Sequence, residues 1–398
     1  MKNLSPKLFL EINNSNLIFF VIEDDYQNDF KISYKLTTPL IGLLDNRITD
    51  LEKIFNFVKE NIYTIEKKVN FTFKELVLIL ENFNPTFINL TGYKKLNGSQ
   101  VSKENVTYIL NTLKSCIDEI EFKKTVVHIF NSKFFLDNKK IDNLPIGLFG
   151  DFYSHELSFI LMNKNDYKNL KYVLDKCNLK IKKILIKSFI ESAYLSNNNK
   201  NTETFFYIKI GDNNSKISFF ENNSLKFEQA FSFGTEIIVN DITKITSLKK
   251  EDIKRILESV KLNQDIEENE LLEKEYFKDG IYKKLKKKLI YEIIFARVKE
   301  ISEIILFKNN NFSYYTKFAK TIFFELEGQC SKQSLKEIYK IAFTNNDIFK
   351  LNLVDDLSDK NILDTANRLV HYGWKKEAIP ITRIQKSLIA RFFNAIFG

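Results

Sequence analysis

Glycine is scarce in this 398-residue chain, at 11 residues against an average usage of about 7%. Lysine, asparagine, isoleucine and phenylalanine are enriched throughout, so loops that cradle phosphate with glycine can be eroded here for compositional reasons alone. Cysteine is rarer still. Cys116, Cys177 and Cys330 lie far apart, with an odd count and no CxxC pair, which excludes a sequence-evident zinc site or disulfide framework and fits a reducing cytoplasm. The three histidines, His128, His155 and His371, are widely separated, and His128 sits in an apolar stretch, so a core or surface role is expected rather than a catalytic one. No run of about 18 uncharged apolar residues occurs, and the opening MKNLSPKLFLEINNSN is too short in apolar length for a signal peptide. Any membrane contact is therefore expected to be peripheral. The net charge of +9 is spread over scattered lysines without a helix-turn-helix, zinc-finger or RNP signature, so nucleic acid is not the expected partner.

What is present is an ordinary globular composition, 44% apolar and 28% charged, on a chain long enough for two or more subdomains. Residues 8–12 (LFLEI) and 17–22 (LIFFVI) read as a hairpin around the polar turn 13–16. A strand is expected at 30–36, a helix at 51–63, and a buried parallel strand in LVLIL at 76–80. After Phe83 the character changes. The polar loop NGSQVSKEN gives Ser102 and Asn105 as a helix cap before a helix at 107–120, and strands follow at 125–130 and 156–162. Helix 166–177, strand 181–186 and helix 188–195 resume an α/β alternation, which marks the intervening residues as an inserted unit. Residues 205–220 (FFYIKIGDNNSKISFF) repeat the opening hairpin, with Lys209 where the first has Glu11. Two such hairpins predict a duplicated fold with a cleft between the halves, where turns could offer N–H groups to phosphate. The spacing alone fits plain hairpin turns equally well.

Taken together, these landmarks resemble the bacterial FtsA cell-division family of the actin-like superfamily. The first hairpin is followed by PIGLFG at 145–150, the second hairpin, and FSFGTEIIVNDITKITSLKKEDIKRI at 231–256. YEIIFARVKEIS at 291–302, with Arg297 and Glu300, IFFELEGQC at 322–330 and LDTANRLVHYGW at 363–374 then follow in the family's order. The resemblance implies an α/β, actin-like fold of two RNase-H-like lobes with an inserted small subdomain and a C-terminal amphipathic helix. Its expected parts are a first core subdomain (1–82 plus 163–198), the insert (83–162), a second core subdomain (199–233 plus 317–379), a small subdomain (234–316), and a linker with the terminal helix (380–398).

The resemblance also brings expectations for the cleft. ATP would touch Ser15 and Asn16 in the first turn, Lys209, Gly211, Asn214 and Ser215 in the second, and Gly328 in the adenosine turn. Yet the family's Asp-Ile-Gly-Thr-Ser-Lys is here Glu11 to Asn16, and its Asp-Ile-Gly-Gly-Gly-Thr-Thr-Asp is here Lys209 to Lys216. Two carboxylates that would organise magnesium have become lysines, and an ammonium cannot ligate a metal. Magnesium and ATP hydrolysis are thus not expected. For ATP itself two readings stay open: Lys209 or Lys216 neutralises phosphate, or the cleft stays closed without ligand.

Two further segments look functional. In KDGIYKKLKKKLIYEIIFARVKEI (278–301), Ile281, Leu285 and Leu289 predict one buried helical face with Lys283, Lys284, Lys286, Lys287 and Lys288 around it. By resemblance this subdomain receives the acidic and apolar C-terminal tail of FtsZ, which a basic groove with Lys283, Lys284, Lys287 and Arg297 would suit. The chain ends in RIQKSLIARFFNAIFG. On a helix, Ile384, Leu388, Phe392 and Ile396 recur at four-residue spacing and Ile389, Phe393 and Phe397 widen the stripe, while Arg383, Lys386 and Arg391 flank it. Such a helix can lie in an anionic membrane surface, as FtsA proteins end in one; a helix docked on the core is the alternative. The expectation is a peripheral adaptor that tethers FtsZ filaments to the inner face of the plasma membrane at the division site and self-associates. The alternatives are an actin-like ATPase or a pilus-assembly actin homologue.

Overall fold

The computed structural model describes residues 5–13, 15–24, 30–44, 47–81, 83–199, 202–277, 282–328, 333–345, 348–355 and 357–378. They fall into two compact units, one of residues 1–87 with 166–375 and one of 88–165 joined by the chain from Lys376.

The larger unit opens with an antiparallel meander of β1 (Lys7–Ile12), β2 (Asn16–Asp24) and β3 (Phe30–Pro39), followed by a two-residue ladder of β4 (Leu43–Leu44) with β5 (Arg47–Ile48). Helix α1 (Leu51–Val69) starts where the Asp50 carboxylate accepts the Lys53 N–H and stops where Asn70 turns left-handed at φ 50. Its Ile54, Val58, Ile62 and Ile65 face inward at helical spacing. Strand β6 (Glu75–Leu80) then runs parallel to β1, which explains its unbroken apolar sequence: every residue after Glu75 is buried.

The chain next leaves for the smaller unit through β7 (Thr86–Lys95), a strand the sequence reading missed, and α2 (Lys103–Ile120). Ser102 and Asn105 form the expected capping box. Strands β8 (Lys124–Leu136), β9 (Lys139–Ile141) and β10 (Phe152–Asn163) complete a sheet in the order β7-β10-β8-β9. Its core joins Ile109 and Ile117 of α2 to Leu157, Phe159 and Leu161 of β10, and it also takes in Ala378.

Back in the larger unit, α3 (Lys164–Lys176), β11 (Lys180–Ile186) and α4 (Lys187–Asn198) complete the first half, whose sheet order is β11-β6-β1-β2-β3. The second half repeats the plan. A meander of β12 (Phe205–Ile210), β13 (Ser215–Glu221) and β14 (Ser224–Phe231) is followed by α5 (Glu236–Thr246), α6 (Lys250–Ser259) and α7 (Lys287–Ser302). Strand β15 (Thr321–Leu326), α8 (Gln333–Thr344), β16 (Lys350–Val354) and α9 (Asp359–His371) then close a sheet in the order β14-β13-β12-β15-β16. The central strand of each half is its first, and both parallel neighbours lie on the same side, so the duplication read from the hairpins extends to the whole topology. Residues 234–316 share one continuous apolar core with this second sheet, from Phe206 through Ile242 and Val298 to Phe343.

One helix differs from expectation. The face through Leu285 and Leu289 does not form, because α7 begins only at Lys287; Leu285 lies before the helix, its carbonyl accepting the Leu272 N–H, and Leu289 is exposed. The buried face is Ile290, Ile293, Ile294, Val298 and Ile301. Ile281 lies outside the described residues. The residues before α7 are instead paired with the chain at 270–272, Leu272 N–H bonding Leu285 O and Lys287 N–H bonding Glu270 O, each at 2.8 Å. No helix among the described residues is long and apolar enough to cross a membrane. The terminal residues 379–398, with Arg383 through Phe397, lie outside the described residues.

Candidate functional site

In each half the parallel strands deliver their C-terminal ends to one edge, the edge where ligands bind in open α/β sheets. Those ends are Ile12 and Leu80 in the first half and Ile210 and Leu326 in the second. The cavity between them measures about 260 Å³ and is lined by Glu11, Lys187, Glu191, Lys209 and Glu325 among others. That is below the roughly 300–1,000 Å³ of typical ligand pockets. A larger cavity of about 1260 Å³, with Lys7, Phe9, Phe73 and Lys182 in its wall, lies at the opposite, N-terminal edge of the first sheet.

The first turn keeps its N–H groups to itself. Asn13 Oδ1 accepts from the N–H of both Ser15 (2.9 Å) and Asn16 (2.7 Å). The asparagine thus occupies the two donors that a phosphate would use. The second turn is crowded from outside. A Cβ on Gly234 would fall 2.1 Å from Gly211 O, and one on Gly328, at φ +92, would fall 2.3 Å from Asp212 Oδ1. Gly211 N–H bonds Asn214 O at 2.8 Å, Ser215 Oγ donates to Phe233 O at 2.7 Å, and Thr235 Oγ1 donates to Asp212 Oδ1 at 3.2 Å. Gly211, Asn214, Ser215 and Gly328 thus lie around the second turn with their polar groups bonded within the chain, while Ser15 and Asn16 are bonded within the first.

Between the turns runs a chain of charge. Lys187 Nζ, at the start of α4, donates to Glu11 Oε1 at 2.8 Å and Glu81 Oε2 at 3.0 Å. One turn on, Glu191 accepts from Lys209 Nζ at 2.9 Å, and Lys209 also pairs with Glu327 at 2.8 Å. Behind them the Tyr207 hydroxyl donates to Glu325. Lys216 lies 3.7 Å from Glu228, on the strand next to its own. Burial raises the Glu11 carboxyl against the pull of Lys187, whereas for Glu81 the ammoniums of Lys187, Lys209 and Lys216 overcome burial and hold it at about 2. Burial opposes the Lys209 ammonium, but Glu191, Glu325 and Glu327 among its neighbours outweigh it and keep it charged. Glu325 is pushed up to about 7, by burial first and against the pull of Lys209.

Five carboxyl groups (Glu11, Glu81, Glu191, Glu325, Glu327) meet three ammoniums (Lys187, Lys209 and, acting on Glu81, Lys216), so the cleft offers polyphosphate no surplus of positive charge. Among the described residues no three His, Cys, Asp or Glu side chains are placed to hold a metal ion. Sequence reading missed Lys187, Glu191 and Glu81. The available signal was a lysine and a glutamate four apart in an otherwise apolar α4, but their partners come from distant strands.

The lysines expected to meet a partner are largely engaged within the chain. Lys283 Nζ donates to the carbonyls of Thr246 and Ser247 at the C-terminal end of α5, a favourable place for a cation. Lys287 is buried between Glu270 (2.8 Å) and Glu273 (2.6 Å), and Arg297 binds Asp241 and Glu300. Lys284 and Lys286 are exposed. His155 is buried against Phe134 and Tyr153, and burial, helped by Lys376, lowers it to about 4. His128 pairs with Glu377 at 3.3 Å, and His371 contacts Lys7. No histidine lies in the cleft wall.

Two five-stranded sheets of one topology, flanked by helices and facing a shared cleft, define an actin-like protein. A solved PilM–PilN type IV pilus biogenesis complex shows the same fold, with a TM-score of 0.53 and 10% identity over 93% of this chain and 99% of that one. No protein-family model matches the chain. Curated relatives are more specific: FtsA of Buchnera aphidicola subsp. Schizaphis graminum is 22% identical over 320 residues, 79% of this chain and 75% of that protein. FtsA of Bacillus subtilis is 23% identical over 316 residues, 77% of this chain and 70% of that protein. The chain is a divergent relative of the cell-division protein FtsA.

The cleft generates two expectations. Lys209→Met leaves Glu191 and Glu327 without their shared cation and costs on the order of 3–5 kcal/mol in urea unfolding, while Lys209→Met with Glu191→Leu recovers part of that loss; equal losses in both would refute the network. The second concerns pH. Glu325, raised to about 7 in the folded protein, stabilises the fold fully below its ordinary value of 4.5 and loses that contribution as pH rises through about 7. Buried His155, held at about 4, contributes a rise of opposite sign over much of the same window, so the effect is read as a difference: from pH 4.5 to 7 the melting temperature of the parent protein should drop relative to that of Glu325→Gln.

Proposed function

We propose that this chain is a cell-division adaptor that holds FtsZ filaments at the cytoplasmic face of the plasma membrane and works without nucleotide turnover. The observation that carries the reading is the co-linear match to division protein FtsA over 79% of the chain, joined to a terminal sequence of seven apolar side chains at helical spacing flanked by Arg383, Lys386 and Arg391. An adaptor needs a shape and two attachment points, and neither depends on hydrolysis. The charge-filled cleft supports that part of the reading, since Lys187 and Lys209 supply from within the chain the positive charge that magnesium would otherwise bring. Self-association is part of the same proposal, as it is for the actin-like class.

For the FtsZ tail, an acidic and apolar peptide, the small subdomain offers exposed Lys284 and Lys286 rather than the internally paired Lys287 and Arg297. Lys284→Glu with Lys286→Glu should weaken binding of an FtsZ tail peptide and reduce its salt dependence, without lowering the melting temperature. Unchanged affinity would remove this site.

The membrane half of the proposal rests on residues 383–397 and is tested there. Phe392→Glu should reduce binding to anionic vesicles on the order of ten-fold or more, because it sets a carboxylate in the centre of the apolar stripe, and should leave thermal stability in solution unchanged. Intact vesicle binding with a clearly lowered melting temperature would mean that the segment docks on the folded body, and would overturn the adaptor reading.

A further inference from the structure

The ion pair that joins the two halves of the larger unit is shared unequally. Glu191 of α4, in the first half, accepts from Lys209 Nζ of β12, in the second, at 2.9 Å, and both side chains are buried. The same ammonium serves two carboxyls of its own half. Glu327 lies 2.8 Å away, and Glu325 stands opposite Lys209 in the parallel register of β12 with β15. Glu325 is 2% exposed, and the Tyr207 hydroxyl donates to it. One cation thus stands among three acids, one of which belongs to the opposite half. No spare charge is at hand to balance them: Lys187 is the other cation among the described residues of the cavity wall and is held by Glu11 and Glu81, while Asp359 is bonded to Lys35.

We propose that Glu325 is a proton-operated latch on the cleft: protonated, it leaves Lys209 to hold Glu191 and keep the two halves closed, and ionised, it sets a further carboxylate against Glu191 and drives them apart. The latch needs the cleft alone and does not depend on the membrane-adaptor reading. Its sign follows from the surroundings. In the closed cleft Glu325 faces a cavity of about 260 Å³, and burial, Glu191 and Glu327 oppose its charge more strongly than Lys209 and Tyr207 favour it. Opening admits water to that cavity and takes Glu191 away, and both changes favour the ionised form. The closed arrangement therefore binds the proton more tightly, and rising pH shifts the population toward the open one. With Glu325 at about 7 when closed and near its ordinary 4.5 when open, the open-to-closed ratio rises about ten-fold between pH 6 and 8. Glu81, held at about 2, and Lys209, kept charged by its acids, do not titrate in that window. Glu11 is also raised by burial, so the experiment has to separate it from Glu325.

The test is a distance measured across the cleft. Spin labels go on Tyr63→Cys in α1 and Ile245→Cys in α5, both exposed and one in each half, in the full chain with Cys116, Cys177 and Cys330 replaced by alanine and its melting temperature unchanged. Pulsed electron paramagnetic resonance then gives the label-to-label distribution at pH 6 and at pH 8. In this parent the longer-distance population should grow relative to the shorter on the order of ten-fold across that range, whereas the same chain with Glu325→Gln should stay at the shorter distance at both pH values. Distances that do not move with pH would overturn the latch even if the melting temperature does move, because Glu325 would then titrate in place without shifting the halves. A pH-dependent distance that persists in Glu325→Gln would overturn it as well, since the opening would belong to another group such as Glu11.

Discussion

Two residues of α4, Lys187 and Glu191, set the arrangement on which the larger unit depends. They lie one turn apart and carry opposite charges, so the helix presents a cation to one half of the fold and an anion to the other. Lys187 gathers Glu11 and Glu81 from the ends of β1 and β6, and Glu191 takes Lys209 from the end of β12. Burying these charges is costly, and a single buried pair often fails to offset its own desolvation. Here each ammonium has two carboxylate partners, which is the condition under which such a cluster holds. The same helix is anchored apolarly as well: Phe189 meets Trp374 edge to face, and Trp374 Nε1 donates to Asn223 O at 2.6 Å.

The chemistry of the cleft follows from the positions of Glu11 and Lys209. Both are the second-last residue of the central strand in their half, so the duplicated fold places them in equivalent sites. With acids at both positions, as the FtsA resemblance implies for the family, two like charges approach across the cleft and call for an external cation. With an acid and a lysine the requirement disappears, and counter-ions can come from α4. A ligand can shift the two halves only by differential affinity for their arrangements. On the proposed reading, fixed intramolecular charge takes over that role, and the protein serves as a scaffold whose shape does not wait on a ligand.

The topology was legible from the sequence because it rests on periodicity: the two hairpins, the continuous run of β6 and the cap at Ser102 each carry a local signal. The strand at 86–95 was not, since its residues alternate only between partly buried and exposed positions and lack a buried face to reveal them. The start of α7 was misplaced because apolar spacing in KKLKKKL does not show that this stretch pairs with residues 270–272, a contact that only folding creates. In the cleft, Lys209 and Lys216 were visible as departures from the family's acids, but the direction of their effect depended on Glu191, Glu327 and Glu228, whose proximity only folding creates. Lys187 was invisible for the same reason. Lys287 and Arg297 looked like a partner's landing site because a sequence does not show which acids already stand beside a lysine.

Glycine scarcity itself has two different structural outcomes. Among the described residues, nine that are not glycine adopt positive φ, and seven of these are asparagine: 70, 84, 97, 138, 178, 222 and 223. Asparagine tolerates the left-handed region because its short amide bonds locally, so a chain rich in asparagine can build its turns with few glycines. Where the demand is for space instead of dihedral freedom, no such exchange is open. At Gly234 a Cβ would meet Gly211 O and Asp212 O at 2.1 and 2.6 Å, and at Gly328 it would meet the Asp212 carboxylate. Both contacts converge on the turn that the family's glycine-rich loop would hold open for phosphate. In this chain the surviving glycines allow protein to pack into that space: the close approach that glycine permits has been turned from a ligand onto the fold's own backbone.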